Sequence, residues 1–250
     1  MEKIILSNEQ INNLKLFSSG EEAKLYLYIE NGEKKLIKIF RNEQFIDKKM
    51  KKIAIIKERT KKCDFVVKAD KQVINNNKTI GYSMPLINGE EFCFLDRSLA
   101  KNIIILKDLS NKLKKLHNLG IVCADFHHNF LIDKKNNIYL IDCDNFAIDH
   151  LGVDLYNMYL ITYRATGKKI DKNFDDYLLN LFAISIITNI YTPYLYEQYE
   201  KNPHLFNFKD DKINEIIRKT FVLEKIYNEE LIIDQINSKK DLKKIKVKKF

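Results

Sequence analysis

The sequence predicts an α+β protein of two parts, a small β-rich one followed by a larger and mainly helical one. Three observations predict it. Strand-forming runs bounded by Asn and Gly turns crowd the first 90 residues, apolar residues at helical spacing dominate the remainder, and no internal repeat runs through either. With 45% hydrophobic and 31% charged residues over 250 positions, the chain can bury a sizeable core. Seven Gly and three Pro are too few for a linker-like or low-complexity protein.

The elements follow in order. Ala23 to Glu30 is rich in β-formers, Asn31-Gly32 turns it, and Lys35 to Phe40 returns, which is a hairpin. Gln44 to Lys61 places Phe45, Ile46, Met50, Ile53 and Ile56 on one helical face with lysines outside. Val66-Val67, Gln72 to Ile74 and Thr79 to Leu86 read as further strands, with Asn75 to Asn77 as a turn. Beyond Asn88-Gly89, Ile104 to His117 forms an amphipathic helix ended by Gly120. Two short apolar runs, Phe130 to Ile132 and Ile138 to Ile141, flank a polar turn, and Tyr177 to Thr188 and Ile213 to Ile233 are helical again. The expected division is 1–87 and 88–250.

Several functional classes are set aside on composition. The longest apolar stretch, Leu178 to Tyr196, is broken by Asn180, Asn189 and Pro193, so no membrane span is expected and the protein reads as cytoplasmic. Cys63, Cys93, Cys123 and Cys143 have neither zinc-ligand spacing nor disulfide-framework density. The net charge of +9 comes from a chain rich in Lys, Ile and Asn, and the tail Ser238 to Phe250 lacks interleaved aromatics, so nucleic acid is not the expected partner.

Chemistry concentrates between Leu116 and Phe146. Asp125 and Asn129 lie in a loop between a helix and a short hairpin, and Asp142 closes the hairpin's second strand. Oxygen ligands at two ends of one hairpin can converge on a hard cation, leaving a third carboxylate to orient a hydroxyl.

This ordered set resembles the catalytic loop and metal motif of the protein-kinase superfamily, in particular the atypical bacterial kinases and aminoglycoside phosphotransferases, whose D-L-H is echoed by Asp125-Phe-His127. Upstream, Leu36-Ile-Lys-Ile-Phe40 is similar to the family's nucleotide-lysine strand, Ser18 to Ala23 to its glycine-rich loop, and Gly81 to Ile87 to the strand entering its hinge. The resemblance spans roughly residues 14 to 190 and implies a bilobal kinase-like fold. It implies an ATP- and Mg²⁺-dependent phosphotransferase acting on a hydroxyl of an unspecified protein or small molecule. Asp125 would take the acceptor proton, Lys38 the ATP phosphates, and Asn129 and Asp142 the metal. Gly20, Leu36, Met84 as gatekeeper and Ile87 would complete the nucleotide contacts.

The sequence departs from the family pattern in places. Asn129 follows Asp125 by four residues instead of five, and of the three loop glycines only Gly20 remains. A pseudokinase, serving as a nucleotide-binding or scaffolding module, is the alternative. The acidic partner of Lys38 is open among Glu58, Glu43 and Asp47. Asp175 or Asp176 resembles the aspartate that braces the catalytic loop, or is a plain helix N-terminal carboxylate. Cys123 and Cys143 occupy positions that pack together in the family, as small buried thiols or as a redox-sensitive contact. His127 is a further candidate for contact with phosphate or metal.

Overall fold

The computed structural model describes residues 1–91, 97–125, 129–149, 151–152, 170–222, 230–238 and 241. His127, Cys93 and most of the basic tail lie outside them. In chain order the elements are β1 (Lys3–Ile5), α1 (Asn8–Asn12), β2 (Lys15–Ser19), β3 (Ala23–Glu30), β4 (Glu33–Phe40), α2 (Ile46–Arg59), β5 (Gln72–Asn75), β6 (Lys78–Pro85) and β7 (Gly89–Glu91). There follow α3 (Leu99–His117), β8 (Ile121–Val122), β9 (Phe130–Asp133), β10 (Ile138–Leu140), α4 (Lys172–Thr188), α5 (Leu195–Lys201) and α6 (Asp211–Phe221). The protein is therefore α+β, with a mixed N-terminal sheet and a helical C-terminal part.

The chain divides into two compact units, one of Met1–Glu91 with Asn129–Leu151 and the other of Phe92–His128 with Gly152–Phe250. This differs from the expected single cut after residue 87, because the 129–151 hairpin groups with the first unit. Backbone hydrogen bonds are the reason: β7 pairs antiparallel with β9, the Leu140 N–H donates to the Phe65 carbonyl, and the Val67 N–H donates to Leu140. Val66 and Val67, expected as a strand, make only an isolated bridge to Leu140.

In the first unit six strands run in the order β1-β5-β6-β4-β3-β2. The β3–β4 hairpin turns at Asn31 and Gly32, with φ of 51° and 83°, and the β5–β6 hairpin at Asn76 and Asn77, with φ of 47° and 62°. Both are left-handed pairs that match strand twist, which is why Asn and Gly mark them in the sequence. Along β4, Leu36 and Phe40 enter one core with Met50, Ile53, Tyr82 and Met84, while Ile37 enters another with Ile4, Leu6 and Val73. Period-2 alternation thus sends Lys38, flanked by Leu36 and Phe40, to the α2 side of the sheet. Gly81 permits the close approach of β6 to β4, since a Cβ there would stand 1.8 Å from the Lys38 carbonyl oxygen.

The sequence pattern did not reveal β1 and α1, which form the N-terminal edge and its capped turn. The Ser7 side chain and the Gln10 side chain close a capping box, and β1 runs parallel to β5.

In the second unit α3 starts five residues earlier than expected, because Ser98 caps it through the Lys101 N–H. Nearly every residue of α4 is buried, as its apolar composition requires. Asn180, on α4, donates to the Glu230 carbonyl and accepts from the Ile232 N–H, both at 3.0 Å, so the 230–232 segment is fastened to the helix. The single helix expected from Ile213 to Ile233 instead ends at Phe221, and a separate 3₁₀ turn spans Ile232–Gln235. Among the described residues no single helix is long and apolar enough to cross a membrane.

Candidate functional site

One buried cluster of charged side chains in the first unit includes Lys38. Lys38 is 4% exposed, and its Nζ forms an ion pair with Asp142 and a second with Asp144 at 2.8 Å. Asp142 lies two residues beyond strand β10 and opens the 3₁₀ turn Cys143–Asn145 with a left-handed backbone of φ 60° and ψ 41°. Asp and Asn adopt that conformation more readily than other non-glycine residues. Here the Asn145 Nδ2 donates to Asp142 Oδ2 at 3.0 Å, and Lys38 holds the other oxygen.

Asp144, with no exposure, is the centre of the cluster. Its Oδ1 accepts from Lys38 and from the Tyr82 hydroxyl at 2.7 Å, and its Oδ2 accepts from Lys49 Nζ at 3.0 Å. Lys49 then reaches Glu22, in the loop between β2 and β3, at 2.7 Å. The Phe40 ring lies 5.5 Å from the Lys38 ammonium and 5.3 Å from that of Lys49, adding a favourable aromatic face to both.

The electrostatics follow from this arrangement. Burial works against the charge of Lys38 and Lys49, but the carboxylates of Asp144, Asp142 and Glu22 outweigh it and raise both ammonium pKa values. Burial also opposes the charge on Asp144, and the two lysines overcome it, holding that carboxyl well below the usual range. Asp142 moves the other way, pushed up by burial and by the neighbouring Asp144 charge against the pull of Lys38.

The expected nucleotide residues fall at separate places in the first unit. Leu36 and Met84 are Cα partners across β4 and β6 and share one core, 7% and 6% exposed. Gly20 lies exposed in the β2–β3 loop, where its carbonyl accepts from Arg41 Nε at 3.0 Å. Ile87 lines a cavity of about 730 Å³ with Lys35, Lys57, Pro85 and Leu86, and Lys38 is not among its walls. The Asn129 carbonyl accepts from the Ile141 N–H at 2.9 Å, so Asn129 is tied beside the residue that precedes Asp142.

None of the three carboxylates considered as the partner of Lys38 takes that role. Glu58 pairs with Lys61 and Glu43 with Lys78, and Lys38 makes its ion pairs to Asp142 and Asp144. The helix that was expected to supply an acid supplies the cation Lys49 instead. The sequence signal for Lys49 was present: it falls three residues after Ile46 and four before Ile53, on the apolar face of α2. Asp144 carried no such signal, because it lies beyond the apolar run of Ile138 to Ile141, between Asp142 and Asn145.

In the second unit Asp125 is half-buried and directly follows Ala124, whose backbone is left-handed at φ 61°. Asp175, in the first turn of α4, fastens the residues before Asp125. Its carboxylate accepts from the Cys123 N–H at 2.9 Å and the Ala124 N–H at 2.7 Å, and lies 2.8 Å from His117 Nε2 at the end of α3. Of the two aspartates considered, Asp175 is the brace, and Asp176 is the half-buried neighbour.

Cys123 and Cys143 are both buried free thiols. Burial, with the charges of Asp144 and Asp142, pushes the Cys143 thiol up to about 12, so its thiolate is scarce at neutral pH and redox chemistry there is disfavoured.

Among the described residues no group of three or more His, Cys, Asp or Glu is arranged to hold a metal. The pair implied by the resemblance, one carboxylate and one amide, still fits Mg²⁺, which takes one or two protein oxygens and completes its shell with phosphates and waters. Asp142, 27% exposed, has the access that this requires. No family model matches the chain, and no curated protein matches it.

Proposed function

We propose that the protein is an ATP- and Mg²⁺-dependent phosphotransferase of protein-kinase type that moves the γ-phosphoryl group to a hydroxyl of a protein or small molecule. The observation that carries this reading is the ion pair between Lys38 and Asp142, residues 104 positions apart that the resemblance assigns to nucleotide and metal. The left-handed backbone of Asp142 and the tie between Asn129 and Ile141 support it. So does the bracing of the Asp125 loop by Asp175.

In this reading Lys38 orients the α- and β-phosphates, and Asp142 and Asn129 supply oxygen ligands. Bound Mg²⁺ adds neutralising charge across the phosphate oxygens. Asp125 accepts the proton of the acceptor hydroxyl as that oxygen bonds to the γ-phosphorus and the bond to ADP breaks. Positioning and charge neutralisation supply the rate.

A second reading, a nucleotide-binding or scaffolding module without turnover, is favoured by one observation. Leu36 and Met84, on the face assigned to adenine, are buried in the core. Thermal unfolding and ATP turnover with and without Mg²⁺ distinguish the two, because a ligand that binds the native state raises its stability. Mg²⁺-ATP stabilisation with turnover that disappears in Asp125→Ala and Asp142→Asn supports the phosphotransferase. Stabilisation without turnover favours the module, and no stabilisation overturns nucleotide binding.

A further inference from the structure

Lys38 has two carboxylate partners, and they are not equivalent. Asp142 is 27% exposed, and beyond Lys38 it accepts one hydrogen bond, from the Asn145 amide. Asp144 is fully buried, with both oxygens committed to three donors that come from β4, β6 and α2. Handing Asp144 to a cation would break three hydrogen bonds inside the core, from Lys38, Lys49 and the Tyr82 hydroxyl. Handing over Asp142 breaks two, from Lys38 and the Asn145 amide. The three donors therefore divide the roles of the two acids, although they stand only two residues apart.

We propose that Asp144 is the positioning residue of the nucleotide lysine: it keeps Lys38 paired and aimed while Asp142 is released to bind a divalent cation with the nucleotide. This inference rests on the phosphotransferase reading. Asp144 keeps a carboxylate oxygen 2.8 Å from Lys38 Nζ at the moment Asp142 turns to metal. Lys49 balances the second oxygen of Asp144 and links it to Glu22 in the β2–β3 loop. The acid that serves Lys38 thus comes from the metal loop itself, and pairing does not wait on an acid carried by α2.

Calorimetric titration of Mg²⁺-ATP into the full chain tests this, comparing wild type, Asp144→Asn, Lys38→Met, their double variant and Tyr82→Phe. Asp144→Asn is expected to weaken binding at least tenfold. The double variant is expected to bind no more weakly than Lys38→Met, since both substitutions remove one function. Tyr82→Phe, which removes the hydroxyl bound to Asp144 and keeps the ring that faces Lys38, is expected to weaken binding two- to fivefold and to remain folded. A folded Asp144→Asn with wild-type affinity, beside a Lys38→Met that has lost it, overturns the proposal and leaves the phosphotransferase reading standing. Should Asp144→Asn fail to fold, unchanged affinity in Tyr82→Phe overturns it. Wild-type protein that does not bind Mg²⁺-ATP removes the functional reading and this inference together.

Discussion

Among the described residues each unit buries one aspartate completely, and the two are satisfied by opposite means. Asp144 is held by side chains, two ammonium groups and a phenol from three separate elements. Asp175 is held mainly by backbone, the consecutive N–H groups of Cys123 and Ala124, with His117 beside them. The difference shows what each can do. A carboxylate paired with flexible lysines sets the charge and aim of those lysines, whereas one bonded to consecutive amides fixes the path of the main chain. The left-handed Ala124, one residue before Asp125, is the conformation that Asp175 stabilises.

Removing each acid breaks the comparison most sharply. Asp144→Ala leaves Lys38 and Lys49 buried without their shared partner, which costs about 3–5 kcal/mol by the usual penalty for breaking a buried pair. Since domains have only about 5–15 kcal/mol in hand, chemical denaturation should show the first unit largely unfolded or strongly destabilised. Asp175→Ala strands two buried N–H groups at about 1–3 kcal/mol each, and a urea midpoint lowered by that loss divided by the m-value is the expected result. Asp175→Asn retains an acceptor and should recover part of the loss.

Asp176, next to the brace, sharpens the comparison through pH. Burial, with the adjacent Asp175, pushes its carboxyl up to about 6 against the pull of His117 and Lys114. The folded state then holds a proton that the unfolded chain releases near its ordinary value, so stability is greatest below about pH 4 for this group and falls as pH rises to 6. Asp176→Asn should raise the melting temperature at pH 7.5 but not at pH 4, by an amount corresponding to about 1 kcal/mol or less for a half-buried side chain. The smallest effect belongs to the exposed pair of Glu58 and Lys61, whose side chains are 70% and 66% exposed. Glu58→Ala should move the melting temperature by less than the equivalent of about 0.5 kcal/mol, and nucleotide affinity not at all, because this acid does not serve Lys38.

The two sites were not equally legible in the sequence. Lys38, Asp125, Asn129 and Asp142 could be named because their order and spacing follow a pattern of motifs. The choice of Asp175 over Asp176 could not be made, because adjacent residues of a first helical turn differ only in the direction they face. Lys49 interrupts the apolar face of α2, whereas Asp144 lies beyond the apolar run of Ile138 to Ile141 and interrupts no pattern. An ionisable residue on an apolar face is a signal that it has a partner, but the pattern does not say which.

The sequence by itself determined what short-range physics controls. The Asn-Gly and Asn-Asn turns, the alternation along β4 and the apolar stripe of α2 follow from backbone sterics and side-chain period, which act within a few residues. Only the tertiary structure decided that the 129–151 hairpin joins the first unit and that Lys38 meets acids 104 and 106 residues away. It alone decided that α2 brings a cation to that meeting. The physical reason is that a buried charge takes its counter-charge from whichever segments pack against it, and burial makes the pairing obligatory without fixing its address in the chain.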